Sequence, residues 1–130
     1  MTVKDGCLSV KKTVRGRLPR LPFASLKRAI LGERYTLSVV FIGDKRARAL
    51  NKKYRKKEYI PDILSFPLSP LEGEMFINQR QARRRAKEFE MDTETFLGYL
   101  LIHGLLHLKG LRHGSRMEQA EQRYLKRFFG

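Results

Sequence analysis

The chain has 130 residues, enough for one domain, 1–130, that buries about two-thirds of the surface its unfolded form exposes, and too few for a second. Its 42% apolar content, ten glycines and five prolines exclude a disordered or collagen-like chain, and no apolar run approaches the ~18 residues of a membrane span. Twenty-eight Lys and Arg stand against 13 Asp and Glu, and the resulting formal charge of +15 implies a polyanionic partner, with nucleic acid the expected one.

The opening "MTVKDGCLSVKKTVRG" lacks the apolar core of a signal peptide, so a cytoplasmic location is expected. The single cysteine, Cys7, agrees with a reducing compartment and reads as a small apolar residue in a strand. "CLSVKK" (7–12) alternates as a half-buried strand does. "PFASLKRAILG" (22–32) reads as a short helix, with Phe23, Leu26 and Ile30 near one face and Gly32 as its stop. "YTLSVVFI" (35–42) is rich in β-branched and aromatic residues and ends at the turn signal Gly43-Asp44. Asp44 can cap the next helix, "KRARALNKKYR", whose inward stripe is Ala47, Leu50 and Tyr54.

Two short strands follow, "DILSF" (62–66) and "GEMFIN" (73–78), separated by the proline-bearing loop "PLSPLE". Helix resumes with "QRQARRRAKEFE". "TETFLGYLLIHGLLHLKG" (93–110) carries leucines on nearly every side and is expected to be a buried central helix, begun near Asp92 and Glu94 and stopped by Gly110. Ser115 and Glu118 suggest a capping box for a last helix, buried through Met117, Ala120, Tyr124, Leu125 and Phe128. The expected fold is α+β: one compact domain with a small mixed sheet and helices around the central helix. Cations concentrate in 44–58, with eight Lys or Arg, and in 80–88, with five. A solvated helix face is the competing account of both runs, although solubility needs far less charge.

All three histidines fall within "IHGLLHLKGLRHGS". His103 and His107, four apart on a helix, project from one face. The glycine turn at 109–112 then brings His113 round, so the H-x3-H-x5-H spacing predicts one divalent ion per chain held by three imidazoles, with a fourth position open for catalysis. Gly104 occupies the place of the glutamate in the H-E-x-x-H peptidase pattern, so the metal itself must activate water by lowering its pKa. Glycine inside a helix also hints at close approach beside the first ligand.

"HGLLHLKGLRHGS", with "LNKKYRKKEYIPDILSFP" and "GEMFIN" upstream, resembles the YbeY family of metal-dependent bacterial endoribonucleases. The resemblance implies a single-strand-acting nuclease of ribosomal RNA maturation and ribosome quality control, with RNA and the ribosome or its proteins as partners and zinc on His103, His107 and His113. It also implies that Arg55 and His113 take part in catalysis, Arg55 by binding the scissile phosphate. Lys52, Lys53, Lys56, Lys57, Arg83, Arg84 and Arg112 join Arg55 as expected RNA contacts. Asp62 could orient a ligand imidazole or close a loop hydrogen bond.

Three residues depart from the family pattern: Pro61 for threonine, Lys56 for a common glycine, and Arg112 for the aspartate before the third histidine. Arg112 either weakens metal retention or supplies a phosphate contact. It also keeps open a second reading, a ribosome-associated RNA-binding assembly factor whose metal site is structural or vestigial.

Overall fold

In the computed structural model, which describes residues 2–5 and 7–130, ten elements follow along the chain. They are β1 (Thr2–Asp5), β2 (Leu8–Lys12), α1 (Phe23–Leu31), β3 (Thr36–Phe41), α2 (Asp44–Arg55), β4 (Ile63–Ser69), β5 (Glu72–Ile77), α3 (Gln79–Glu88), α4 (Thr93–Lys109) and α5 (Ser115–Phe129). The strands form one mixed sheet in the order β1-β2-β3-β5-β4. The pairs β2/β3 and β3/β5 are parallel, while β1/β2 and β4/β5 are antiparallel. β3 has parallel neighbours on both sides, β2 before it and β5 after it in the chain, and α1 packs on one face of the sheet while α2 packs on the other.

The side chains of β3 alternate accordingly. Leu37, Val39 and Phe41 turn to one face with Leu8, Val10, Met75 and Ile77, where Leu26 and Ile30 of α1 and much of α4 pack. Val40 turns to the other with Leu64 and Phe76, covered by Ala47 and Leu50 of α2. α4 is buried on nearly all sides, with Phe96, Leu97, Leu100, Leu101, Ile102, Leu105 and Leu106 all in the core, and it touches α1, α3, α5 and β4. The α+β architecture with a buried central helix is the one the leucine pattern predicts. Among the described residues, no helix is long and apolar enough to cross a membrane.

Several local expectations are corrected. Cys7 is exposed in the turn between β1 and β2, and Leu8 takes the inward place. β1 was not foreseen; it exists through backbone pairing with β2, from Thr2 opposite Lys11 to Asp5 opposite Leu8. Tyr54 is 57% exposed, and Asn51 occupies the inward position, its Nδ2 donating to Tyr59 O at 3.0 Å. Asp44 does not cap α2 with its side chain. The helix starts at Asp44, after Gly43, and the carboxylate accepts from Asn78 Nδ2 and Arg84 Nη2, each at 2.8 Å. Ser115 likewise forms no side-chain cap, because Gly114 holds the position before α5. The "PLSPLE" segment is mostly strand. β4 runs through Pro67 to Ser69 with one register irregularity, tolerated because β4 is an outer strand.

Two helix ends behave as the sequence suggests. Asp92 Oδ1 accepts from Thr95 N at 2.8 Å to cap α4. Gly110, at φ 107°, ends it in the left-handed conformation and donates its N–H to His107 O at 2.9 Å.

Candidate metal centre

His103 and His107 occupy successive turns of one face of α4, and their Nε2 atoms lie 3.1 Å apart. Gly110 turns the chain and Gly114, at φ 152°, releases it into α5, so His113 between them swings back over the helix. The three ring centroids are separated by 4.6, 4.9 and 5.1 Å. One nitrogen from each ring can be chosen so that all three lie within 4.8 Å of one another.

Nitrogens bound to a tetrahedral ion at about 2.0–2.1 Å lie roughly 3.3 Å apart, close to the His103–His107 separation. Two nitrogen lone pairs at this distance repel unless a proton or cation lies between them. The donor set therefore fits a divalent metal, and these three residues could hold one.

A fourth residue, absent from the sequence expectations, completes the arrangement. Glu121 of α5 is only 6% exposed, and its Oε2 lies 2.5 Å from His103 Nδ1. A carboxylate there accepts the Nδ1–H, fixing the tautomer that leaves the Nε2 lone pair aimed at His107. The signal was present in the sequence: Glu121 follows Met117 by four residues and precedes Tyr124 by three, inside the apolar stripe of α5. The Tyr99 ring closes the other side of His103, with centroids 6.0 Å apart. Burial holds the Tyr99 hydroxyl above its ordinary pKa, and the nearby Glu121 charge adds to the effect.

The pKa of His107 is lowered, first by burial, then by His103, His113 and Arg55, with Glu121 opposing. At neutral pH the ring is accordingly unprotonated and able to ligate. Arg55 acts on it from the end of α2. Its Nη2 donates to Ser65 O of β4 at 3.3 Å, and its guanidinium carbon sits 5.9 Å from the Phe66 ring centre. Gly104 explains how β4 comes so near the histidine helix. A Cβ there would stand 2.5 Å from Met75 Cε and 2.8 Å from both Ile63 Cδ1 and Ser65 Oγ, so glycine lets α4 press onto the sheet beside His103.

Other residues singled out from the sequence lie elsewhere. Asp62 orients no imidazole; its buried carboxylate is ion-paired with Arg85, and its backbone oxygen accepts from Asn78 N. Arg112 lines a cleft of about 600 Å³ with Lys109, Arg116 and Arg123. Arg84 is committed to Asp44, while Arg83 lines a cavity with Arg15 and Arg80. Lys52 and Lys53 share the last turn of α2 with Arg55. Lys56 and Lys57 follow exposed, Lys56 with φ 58°.

A mixed sheet with α4 laid across it and three histidines gathered at its C-terminal turn defines a small α+β protein with a candidate metal site. The chain belongs to the YbeY family: the family model described as Endoribonuclease YbeY matches residues 9–128. Lys56 adopts the left-handed conformation that glycine takes most readily.

The chain is 38% identical over 88 residues to Endoribonuclease YbeY of Mycoplasma mycoides, covering 59% of this chain and 54% of that protein. It is 35% identical over 100 residues to Endoribonuclease YbeY of Alkaliphilus metalliredigens, covering 68% and 64%. The chain thus spans between half and two-thirds of the length of these curated relatives. A Thermotoga maritima protein solved in solution shares the fold, with a TM-score of 0.64 at 21% identity over 94% of this chain and 89% of that one.

Proposed function

We propose that the protein is a metal-dependent endoribonuclease that acts on ribosomal RNA precursors, with zinc on His103, His107 and His113. The observation that carries this reading is the convergence of three imidazoles beside Arg55 in a chain of net charge +15. An all-imidazole set suits zinc among the common divalent ions. When bound, the ion supplies Lewis acidity toward a water and a phosphoryl oxygen. Glu121 keeps His103 in the ligating tautomer, and the buried, charge-crowded setting keeps His107 unprotonated. Arg55 uses one N–H on Ser65 O, which aims the guanidinium and leaves further donors for a phosphate oxygen. Gly104 stands where a peptidase keeps its glutamate base, which argues against peptide hydrolysis. The names of the relatives support RNA as the polymer. A cytoplasmic protein working with the ribosome is the corresponding setting.

The test combines metal analysis with cleavage of a structured ribosomal RNA fragment. One zinc per chain is expected, with activity lost on chelation and restored by the metal. Arg55→Ala should lower turnover on the order of a hundredfold while leaving metal content intact. RNA cleavage that survives both metal removal and loss of Arg55 overturns the proposal.

A further inference from the structure

The face of the sheet beneath α2 carries a row of aromatic rings that runs outward from the core. Phe76 is 8% exposed and Phe66 is half-buried, with centroids 5.9 Å apart, and Phe66 meets Tyr54 edge-on at 5.4 Å. The outermost ring, Tyr54, is 57% exposed, and five residues on Tyr59 is 61% exposed. Each ring of the row has a cation over it: Arg46 at 5.8 Å from Phe76, Arg55 at 5.9 Å from Phe66 and Lys53 at 5.2 Å from Tyr54.

The spacing of α2 would place Tyr54 in the core, yet Asn51 takes the inward position. Asn51 also pins the following loop, donating from Nδ2 to Tyr59 O while its backbone oxygen accepts from Lys57 N at 3.3 Å. Two large aromatic side chains are thus held in solvent on anchored backbone, on either side of Arg55 along the chain.

We infer that Tyr54, with Tyr59, is a stacking platform for bases of single-stranded RNA whose phosphates are met by Arg55 and Lys53. Every base has a π-face, so stacking holds a strand without reading its sequence, while the neighbouring cations track its backbone. Lys53 is exposed and can move from the ring to a phosphate when a base arrives. A base-paired duplex keeps its bases stacked internally and offers none to Tyr54, so the platform selects unpaired segments. The inference rests on the nuclease reading for the identity of the polymer, but it concerns binding and is tested without cleavage.

Equilibrium binding of a 2′-O-methyl oligouridylate is compared with that of an abasic strand of equal length, using full-length wild type, Tyr54→Leu, Tyr54→Phe and Tyr59→Ser. Recovery of intact oligonucleotide is checked after each titration. Tyr54→Leu should weaken binding of the base-bearing strand roughly fivefold to a hundredfold and leave the abasic strand within about twofold, while Tyr54→Phe retains most of the affinity. Tyr59→Ser should have a smaller effect of the same kind. Unchanged binding by Tyr54→Leu overturns the platform, as does an equal loss with both strands, because an equal loss signals a phosphate or folding effect. Wild type that binds neither strand overturns the RNA reading itself, so the two failures are distinct.

Discussion

His103 shows what one buried carboxylate contributes. Without Glu121, the Nδ1–H of a half-buried ring would face the α5 interface unpaired, and the ring could rotate or change tautomer. With it, Nε2 is left free to ligate, and the negative charge would offset part of that of a bound ion. Glu121→Gln keeps the size and an accepting oxygen but loses the charge and allows the amide to turn the wrong way. Metal affinity should fall about ten- to a hundredfold, as measured by competition with a chromogenic chelator. An affinity equal to wild type would mean that packing alone orients His103. Glu121 was visible in the sequence only as a polar residue inside an apolar stripe. The three histidines were legible as a group because imidazole is rare here and confined to one segment, whereas carboxylates are common and Glu121 meets His103 across 18 residues of chain.

Gly104 belongs to the scale of the element, since it sets how closely α4 lies on the sheet. Alanine in an exposed helix would stabilise by about 1 kcal/mol through propensity. Here its methyl would drive into Met75, Ile63 and Ser65. These contacts are side-chain atoms that can shift only partly in a packed core, so Gly104→Ala should be net destabilising by about 1–2 kcal/mol in urea unfolding. It should also weaken metal binding, because α4 is displaced at the turn that carries His103. A stabilised variant would show that the sheet yields freely. The glycine was legible as an irregularity in a helix, but not the neighbours that required it. Helices and central strands were legible throughout, since 3.6- and 2-residue periods record burial directly. The helix starts at Asp44 and Ser115 were not. A capping side chain competes with other partners that only the fold supplies, and Asp44 is taken by Asn78 and Arg84. Tyr54 departs from its helical pattern because Asn51 takes the inward place, leaving Tyr54 57% exposed against the half-buried Phe66 of the outer strand β4. β1 escaped because a short terminal strand is fixed by its partner β2 rather than by its own residues.

Across the whole molecule, net charge says that a polyanion is favoured but not which cations meet it, and the ion pairs divide the basic runs into two groups. Arg84 and Arg80 face Asp44, and Arg85 faces Asp62. The Arg84 hydrogen bond, opposed by burial and helped by Asn78, holds the Asp44 carboxyl below its ordinary value of 3.8. Its lowered pKa keeps Asp44 ionised at every pH above that value, so Arg84 stays engaged throughout the neutral range, and the contribution to stability is lost only as acid titrates the carboxyl. Lys52 and Lys53, beside Arg55, have no such partner among the described ion pairs. Their charges are free to displace counterions from a strand, whereas Arg84 already has an internal anion. Removing Lys53 should therefore lower the salt dependence of single-strand RNA binding, the slope of log affinity against log salt, by about 0.7 with little change in thermal midpoint. Arg84→Ala should do the reverse, changing the slope by less than half as much while lowering the midpoint at neutral pH, with that stability loss fading as the pH falls below the ordinary carboxyl value of 3.8 and Asp44 protonates in both proteins. Titrations from 50 to 200 mM salt, paired with thermal melts, distinguish the groups. If Arg84→Ala reduces the slope as much as Lys53→Ala, the pair with Asp44 opens on binding and the cations of α3 act on RNA as one surface with those of α2.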